Sequence, residues 1–200
     1  MKVYAQSNIP QHGPFLITFN HYYRPGFQAW WIGLAIATTI PEEIHWIMAE
    51  AWRYPQPFIG GYLTALSRWA FHRVANVYQF TAMPPMPPRP DEVEARAKAV
   101  RQVIEYAREA PSPMIALAPV GYDFPEGEIG MPPPGAGRFI EQLSRYCKVI
   151  IPVGVFEENS GLCLRFGEGY RLLVPPGLSA LERDQYTSRV VMDAIAPLIG

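Results

Sequence analysis

Charged side chains are scarce in this chain of 200 residues, since Asp, Glu, Lys and Arg together make up 18% of it. An average globular protein has about 25%. The 17 basic and 18 acidic residues nearly cancel and leave a net charge of −1. Without an overall positive field, the surface has little to attract a polyanion. The composition therefore argues against nucleic acid as a partner.

Cysteines and long apolar runs are also few. The two cysteines, Cys147 and Cys163, form no CxxC pair and no Cys/His set with the spacing of metal ligands. The most apolar segment, 27–40, has about 14 residues, whereas a membrane-spanning helix needs about 20. The N-terminus lacks the basic start and apolar stretch of a signal peptide. We therefore expect a reduced, cytoplasmic protein without a metal site.

Apolar residues make up 49% of the chain, and they fall into short segments with strand-like and helix-like patterns. Strands are predicted at 15–19, 44–49, 77–80, 114–118, 149–155, 162–166 and 170–174, and helices at 27–40, 58–74, 91–107, 136–146 and 185–198. This alternation is typical of an α/β layered fold with a mostly parallel, mixed sheet flanked by helices. The length suits one hydrophobic core, so residues 1–200 are predicted to form a single domain.

A histidine follows the first predicted strand. The segment 15–19 is rich in aromatic and β-branched residues, which favours a strand buried on both faces, and Asn20 and His21 come directly after it. Sites in parallel sheets gather beyond the carboxyl ends of the strands. A helix beginning after His21 would favour the neutral, basic imidazole. His21 is therefore a candidate general base, although a hydrogen-bonded loop histidine fits the same pattern.

A second candidate is the segment formed by Phe124, Pro125, Glu126 and Gly127, which follows the predicted strand 114–118. Proline fixes φ and glycine permits close backbone approach, so the Glu126 carboxylate between them would be held rigidly. Such a carboxylate at a strand end can hold a hydroxylated or cationic group. An ordinary tight turn with a solvated glutamate is the alternative.

Four motifs together resemble the glycerolipid acyltransferases. They are Asn20-His21, the Phe124 to Gly127 segment, Pro134-Gly135-Ala136-Gly137 at the start of a predicted helix, and Ile151-Pro152-Val153 in the following strand. Their order and spacing match the family over roughly residues 15–175. The resemblance implies an acyltransferase-like fold and a place in lipid metabolism, within phospholipid biosynthesis.

The resemblance also implies the reaction and its partners. The family transfers a fatty acyl group from a thioester, acyl-CoA or acyl carrier protein, to glycerol 3-phosphate, a lysolipid or another hydroxyl acceptor, and no further cofactor is expected. Membrane-anchoring N-terminal helices of many members have no counterpart before the first predicted strand. Any membrane contact is therefore expected to be peripheral, at the inner face.

In this family an Asn-His pair is followed, after four intervening residues, by an aspartate that orients the imidazole. Asn20 and His21 match the pair and are implied to be catalytic, but Gly26 occupies the aspartate position and no Asp occurs in 20–40. In Ser-His-Asp enzymes, loss of the orienting carboxylate lowers turnover about 10⁴-fold. Other acidic residues near predicted strand ends are candidates to replace it: Glu50, Asp123 and Glu126.

Substrate-binding roles are implied for Phe124, Pro125, Glu126 and Gly127. The family usually holds the phosphate of its acceptor with an arginine that 77–82 lacks. Arg73 or Arg89 would have to take its place.

The missing aspartate leaves a second hypothesis open, namely a catalytically inactive protein that keeps the fold and binds lipid or acyl chains. Five tryptophans in the first 69 residues, Trp30, Trp31, Trp46, Trp52 and Trp69, would line its groove. Core packing is the simpler interpretation of these side chains. No G-x-S-x-G motif of an esterase occurs. The lone G-x-G at 135–137 is a weak nucleotide motif and predicts tight helix-to-strand packing instead.

Overall fold

The computed structural model describes residues 1–54, 56–122 and 129–199, and in these residues seven strands form one sheet. The strands are β1 (Lys2–Tyr4), β2 (Phe15–Phe19), β3 (His45–Ala49), β4 (Thr81–Met83), β5 (Met114–Leu117), β6 (Val149–Glu158) and β7 (Gly161–Phe166). Their spatial order is β1-β7-β6-β2-β5-β3-β4. All neighbouring pairs are parallel except β6 and β7, which are antiparallel. The predicted α/β fold with a mostly parallel sheet is confirmed.

Helices flank this sheet on both faces. They are α1 (Trp30–Ala37), α2 (Gly60–Tyr78), α3 (Val93–Glu109), α4 (Ala136–Cys147) and α5 (Ala180–Ile195), with short 3-10 turns at Gln6–Asn8, Pro90–Glu92 and Ala196–Leu198. Within the described part of the chain, none of the helices combines the length and apolar character needed to cross a bilayer.

The central strand β2 divides the core into two layers, because successive side chains of a strand point to opposite faces. Phe15, Ile17 and Phe19 pack on one side with apolar residues of α1. Leu16 packs on the other side with apolar residues of α3, α4 and α5. All five residues of β2 are buried, as the apolar pattern predicts.

Two predicted strands are wrong. The segment 77–80 continues helix α2 as far as Tyr78, and Gln79 ends the helix in a left-handed conformation with φ of 55°. The segment 170–174 contributes only a single bridge, in which the backbone of Tyr170 bonds Ile150 in both directions. The edge of β6 beside Ile150 is free at this point because β7 pairs only with residues 153–158.

Strand β1 has no counterpart in the sequence prediction, because contacts from the far end of the chain hold it. It pairs with β7 in parallel. Lys2 Nζ and the Tyr4 hydroxyl both donate to Glu158 Oε2, each at 2.7 Å. Three residues are too few for a periodic pattern, so no local signal marks this strand.

Gly137 of the G-x-G motif serves the packing of α4 against α5 rather than the predicted contact with a strand. A Cβ on Gly137 would overlap the backbone oxygen of Asp184 in α5. The Asp184 carboxylate accepts hydrogen bonds from the N–H groups of Gly135 (2.8 Å) and Arg138 (2.9 Å). The first N–H groups of α4 are therefore satisfied by a carboxylate of the neighbouring helix, as in a side-chain cap.

Candidate active site

The side chain of Asn20 fixes the carboxyl end of β2 to β6. Its Nδ2 donates to the carbonyl oxygen of Val155 at 2.9 Å, and its Oδ1 accepts from the Val155 N–H at 2.7 Å. Nδ2 also lies 3.2 Å from the carbonyl oxygen of His21. Asn20 is 7% exposed, so these bonds form away from solvent. The amide thus extends the β2–β6 pairing past its last backbone partners, Phe19 and Val153, and fixes where His21 leaves the sheet.

His21 is half-buried and lies in a narrow crevice at this end of the sheet. The other lining residues are Asn20, Val120, Tyr122, Ile129, Gly130 and Met192. The free space between them is about 10 Å³, which is about the space of one water molecule. A space of this size beside the imidazole admits a group as small as a hydroxyl.

The loop after His21 is held to β6 by one carboxylate. The Tyr22 hydroxyl donates to Glu157 Oε2 at 2.7 Å, and Arg24 Nε lies 2.6 Å from the same oxygen. Burial, together with the bond to Glu157, raises the pKa of Tyr22 and keeps its hydroxyl protonated as a donor. The Tyr22 ring packs edge-on against Phe27 at 5.2 Å. These contacts fix the loop that carries the imidazole.

Gly26, which the resemblance to the acyltransferases puts at the aspartate position of their motif, turns this loop with a φ of 80°. Glycine adopts this conformation without the steric cost that a side chain brings. No heavy atom lies within 4 Å of the position that a Cβ would take. Space is therefore available at position 26, and only the backbone conformation disfavours a side chain.

The remaining predicted site residues are separated from this crevice or lie outside the described residues. Phe124, Pro125, Glu126 and Gly127 are outside them, together with Asp123. Glu50 lies 3.3 Å from Arg68 Nε and 3.8 Å from His72 Nε2. Arg73 lines a shallow groove on α2 instead of the crevice.

The tryptophans are mostly at the surface, so the core-packing interpretation is wrong for four of the five. Trp30, Trp31, Trp52 and Trp69 are exposed, and Trp46 is partly buried against the core cluster of α1. None of the five is among the described residues that line the His21 crevice.

Sequence reasoning missed several residues around His21. Val120 and Tyr122 follow β5, the parallel neighbour of β2, so the rule that sites lie at the carboxyl ends of strands predicts their position. Met192 reaches the crevice from α5, and no local pattern indicates that contact. The tether between Tyr22 and Glu157 likewise depends on the pairing of β2 with β6.

Comparison with solved structures finds the crystal structure of the 1-acyl-sn-glycerophosphate (LPA) acyltransferase PlsC from Thermotoga maritima. The two structures have a TM-score of 0.53 and 16% sequence identity, and the match covers 98% of this chain and 71% of that one. No protein-family model matches the chain, and no curated protein matches it either. The structural likeness confirms the predicted acyltransferase-like fold.

Proposed function

We propose that this protein transfers an acyl group from a thioester to a hydroxyl acceptor, with the His21 imidazole as general base. The observation that carries the proposal is the position of His21 at the carboxyl end of the central strand, fixed by the bonds between Asn20 and Val155, in the fold of an LPA acyltransferase. The name of that neighbour supports a lysolipid as the proposed acceptor, and with it a proposed role in phospholipid biosynthesis. Acyl-CoA and acyl carrier protein are the donors to be tested.

The chemistry needs one base and one leaving group. The unprotonated ring nitrogen of His21 takes the proton of the acceptor hydroxyl while the hydroxyl oxygen attacks the thioester carbonyl carbon. The new C–O bond forms, the C–S bond breaks, and the proton passes to the departing sulfur. The products are an ester and a free thiol, so no oxidant or reductant is required.

The crevice suits the acceptor side of this reaction. Its free space of about 10 Å³ admits a hydroxyl group beside His21, and the wall residues Val120, Ile129 and Met192 are apolar. A bound acceptor that fills this space also excludes water, which would otherwise hydrolyse the thioester. We assign Asn20 a positioning role, because its amide is engaged with the backbone of Val155 and His21.

We assign the orientation of the imidazole to a carboxylate of the segment 123–128. Gly26 cannot supply one, and Glu50 is engaged by Arg68 and His72. Tyr122 and Ile129, which flank the segment, both line the His21 crevice. The segment carries three carboxylates, Asp123, Glu126 and Glu128. We propose Asp123 and Glu126, the two nearer in sequence to the end of β5, and we propose that Glu126 also contacts the acceptor alongside Phe124, Pro125 and Gly127.

The test is acyl transfer by the purified chain. Labelled acyl-CoA or acyl carrier protein is offered with lysophosphatidate, glycerol 3-phosphate or a neutral alcohol, and ester formation is measured. We expect His21→Ala to lower the rate at least about 100-fold. The matched control is His12→Ala, because His12 precedes β2 at the opposite end of the strand and its side chain is 79% exposed. Equal rates for the two variants would refute the role of His21.

The same assay distinguishes the inactive, lipid-binding alternative. Tight binding of the acyl donor or the lysolipid without any ester product would favour that alternative. Ester formation that requires His21 excludes it.

A further inference from the structure

Helix α2 packs weakly on the rest of the protein. Only three of its 19 residues are buried, namely Gly60, Ser67 and Ala75. Large apolar side chains at its start and along its length are exposed instead: Phe58, Ile59, Tyr62, Leu66, Trp69, Val74, Val77 and Tyr78. Eight exposed large apolar side chains on and beside one helix are typical of an interaction site.

Four of these residues form a single stripe along the helix. Tyr62, Leu66, Trp69 and Val77 recur at spacings that bring them to one side of an α-helix. They are 73%, 48%, 63% and 70% exposed, respectively. We call these four residues the outer stripe. The buried Ser67 lies on the opposite side, where its hydroxyl bonds the backbone of Trp52.

The charged side chains of α2 are all basic. The helix carries Arg68 and Arg73 and no Asp or Glu, whereas the whole chain has a net charge of −1. Arg68, His72 and Arg73 line a groove of about 430 Å³ beside Trp69. The Arg73 guanidinium lies 6.0 Å from the centre of the Trp69 ring and has no ion-pair partner among the described residues. Glu50 approaches Arg68 and His72 from the protein side.

We propose that the outer stripe of α2 docks on an anionic lipid surface, such as the cytoplasmic leaflet of a membrane. A helix with aromatic and aliphatic residues and a basic side chain on its outer side lies in the plane of the interface. Tyr62 and Trp69 have the amphipathic rings that favour the headgroup level. Arg73, which lies between Trp69 and Val77 on the same side of the helix, meets lipid phosphates there. The protein is thereby peripheral to the membrane.

A second copy of the chain fits this surface less well. In a two-fold dimer the same patch meets itself. The unpaired Arg73 of one α2 would then lie against the outer stripe of the other, and neither helix carries a carboxylate to neutralise it. An anionic bilayer satisfies both the apolar stripe and the positive charge. The inference stands apart from the proposed acyl transfer, since binding to vesicles is measured without turnover.

The experiment is sedimentation of the full chain with vesicles of phosphatidylcholine alone and of phosphatidylcholine mixed with phosphatidylglycerol. We expect binding to the mixed vesicles that weakens as salt is raised, because salt screens charge at the surface. Leu66→Ser and Trp69→Ser should each weaken binding about tenfold. Arg73→Gln should weaken it roughly fivefold.

Matched controls lie on helices whose apolar residues pack against the other face of the sheet. Leu181→Ser in α5 removes an apolar side chain that is 63% exposed, and Arg108→Gln in α3 removes an exposed arginine. Both variants should bind as the unmodified chain does. Circular dichroism and thermal unfolding of each variant separate a loss of binding from a loss of folding.

Three results would overturn the proposal. The first is an absence of sedimentation with either type of vesicle, and the second is equal binding to neutral and anionic vesicles. The third is a dimer in analytical ultracentrifugation that Leu66→Ser and Trp69→Ser dissociate, which would assign the outer stripe to a second copy of the chain.

Discussion

The amide of Asn20 bonds both backbone groups of Val155, 2.7 Å from its nitrogen and 2.9 Å from its carbonyl oxygen. An asparagine side chain carries a donor and an acceptor side by side, so it can take the place of a neighbouring strand's backbone. Serine or aspartate cannot make this pair of bonds in the same way. The bonds that join β2 to β6 therefore account for an asparagine at position 20, whether or not its side chain contacts a substrate.

Asn20→Ala should lower the free energy of unfolding by about 2 to 4 kcal/mol, because the N–H and the C=O of Val155 are left buried without partners. Chemical denaturation monitored by circular dichroism measures the change. Asn76→Ala, at an exposed position of α2, should stay within about 0.5 kcal/mol of the unmodified chain. If both variants unfold alike, the Asn20 bonds do not contribute as described.

Gly26→Asp should restore an orienting carboxylate when the proposed ones are removed. In a background of Asp123→Asn and Glu126→Gln, we expect Gly26→Asp to raise the rate of acyl transfer at least about tenfold, since such carboxylates contribute up to about 10⁴-fold in Ser-His-Asp enzymes. Aspartate tolerates the left-handed backbone better than most residues, and the space around position 26 is open. Gly26→Asn, whose side chain tolerates the left-handed backbone as aspartate does, is the matched control without the carboxylate. An equal rate in both variants would argue against orientation from position 26.

Gly137→Ala should destabilise the protein by at least about 3 kcal/mol, because the new methyl group would overlap the backbone of Asp184 and force α4 and α5 apart. Gly61→Ala is the matched control in another helix, where no heavy atom lies within 4 Å of the added Cβ. There the change should stabilise the helix by about 0.5 to 1 kcal/mol. Thermal unfolding of the two variants should thus shift in opposite directions.

His45 should make the protein less stable in mild acid. It is 8% exposed, and burial lowers the pKa of its imidazole to about 4. In the unfolded chain this imidazole titrates near 6.5, so between pH 6.5 and pH 4 the unfolded state binds the proton first. The stability that is present above pH 6.5 is therefore lost as the pH falls toward 4, by about 3 kcal/mol from this residue.

His45→Gln should flatten that dependence while retaining an amide that can bond the Thr81 hydroxyl, 2.9 Å from His45 Nε2. Denaturation midpoints at several pH values between 4 and 7 provide the comparison. His12→Gln, with its exposed imidazole, should keep the slope of the unmodified chain. A wild-type slope in His45→Gln would mean that other groups cause the acid sensitivity.

Local sequence patterns predict those helices and strands that can be recognised without knowing which other elements they pack against. The apolar run of β2 and the apolar stripe of α3 are examples, and both match the observed Phe15–Phe19 and Val93–Glu109. The position of His21 at the end of β2 follows from the same pattern. Strand β1 could not be predicted, because its pairing with β7 and the bonds to Glu158 are set by distant residues.

Helix boundaries, too, are predictable only where a local sequence pattern marks them. The apolar pattern predicts that α5 begins at 185, whereas the helix begins at Ala180, after a capping box of Ser179 and Glu182 that the S-x-x-E spacing indicates. No local pattern marks the end of α2. Glycine usually adopts the left-handed conformation that ends a helix, but here Gln79 does so. The contact of Met192 with the His21 crevice depends on how α5 crosses the sheet, which no local pattern encodes.

The neighbours of β2 arrive late during synthesis of the chain. Its first four residues pair with Met114–Leu117 on one side, and all five pair with residues 149–153 on the other, so both partners follow about a hundred or more residues after it. A nascent chain that ends before residue 149 holds an apolar strand with an open edge, and it has no Val155 to anchor Asn20. Such long-range pairing slows folding and exposes the strand to aggregation. The His21 crevice consequently cannot form before β6 has been synthesised. An N-terminal fragment of the protein would contain His21 without the residues that surround it.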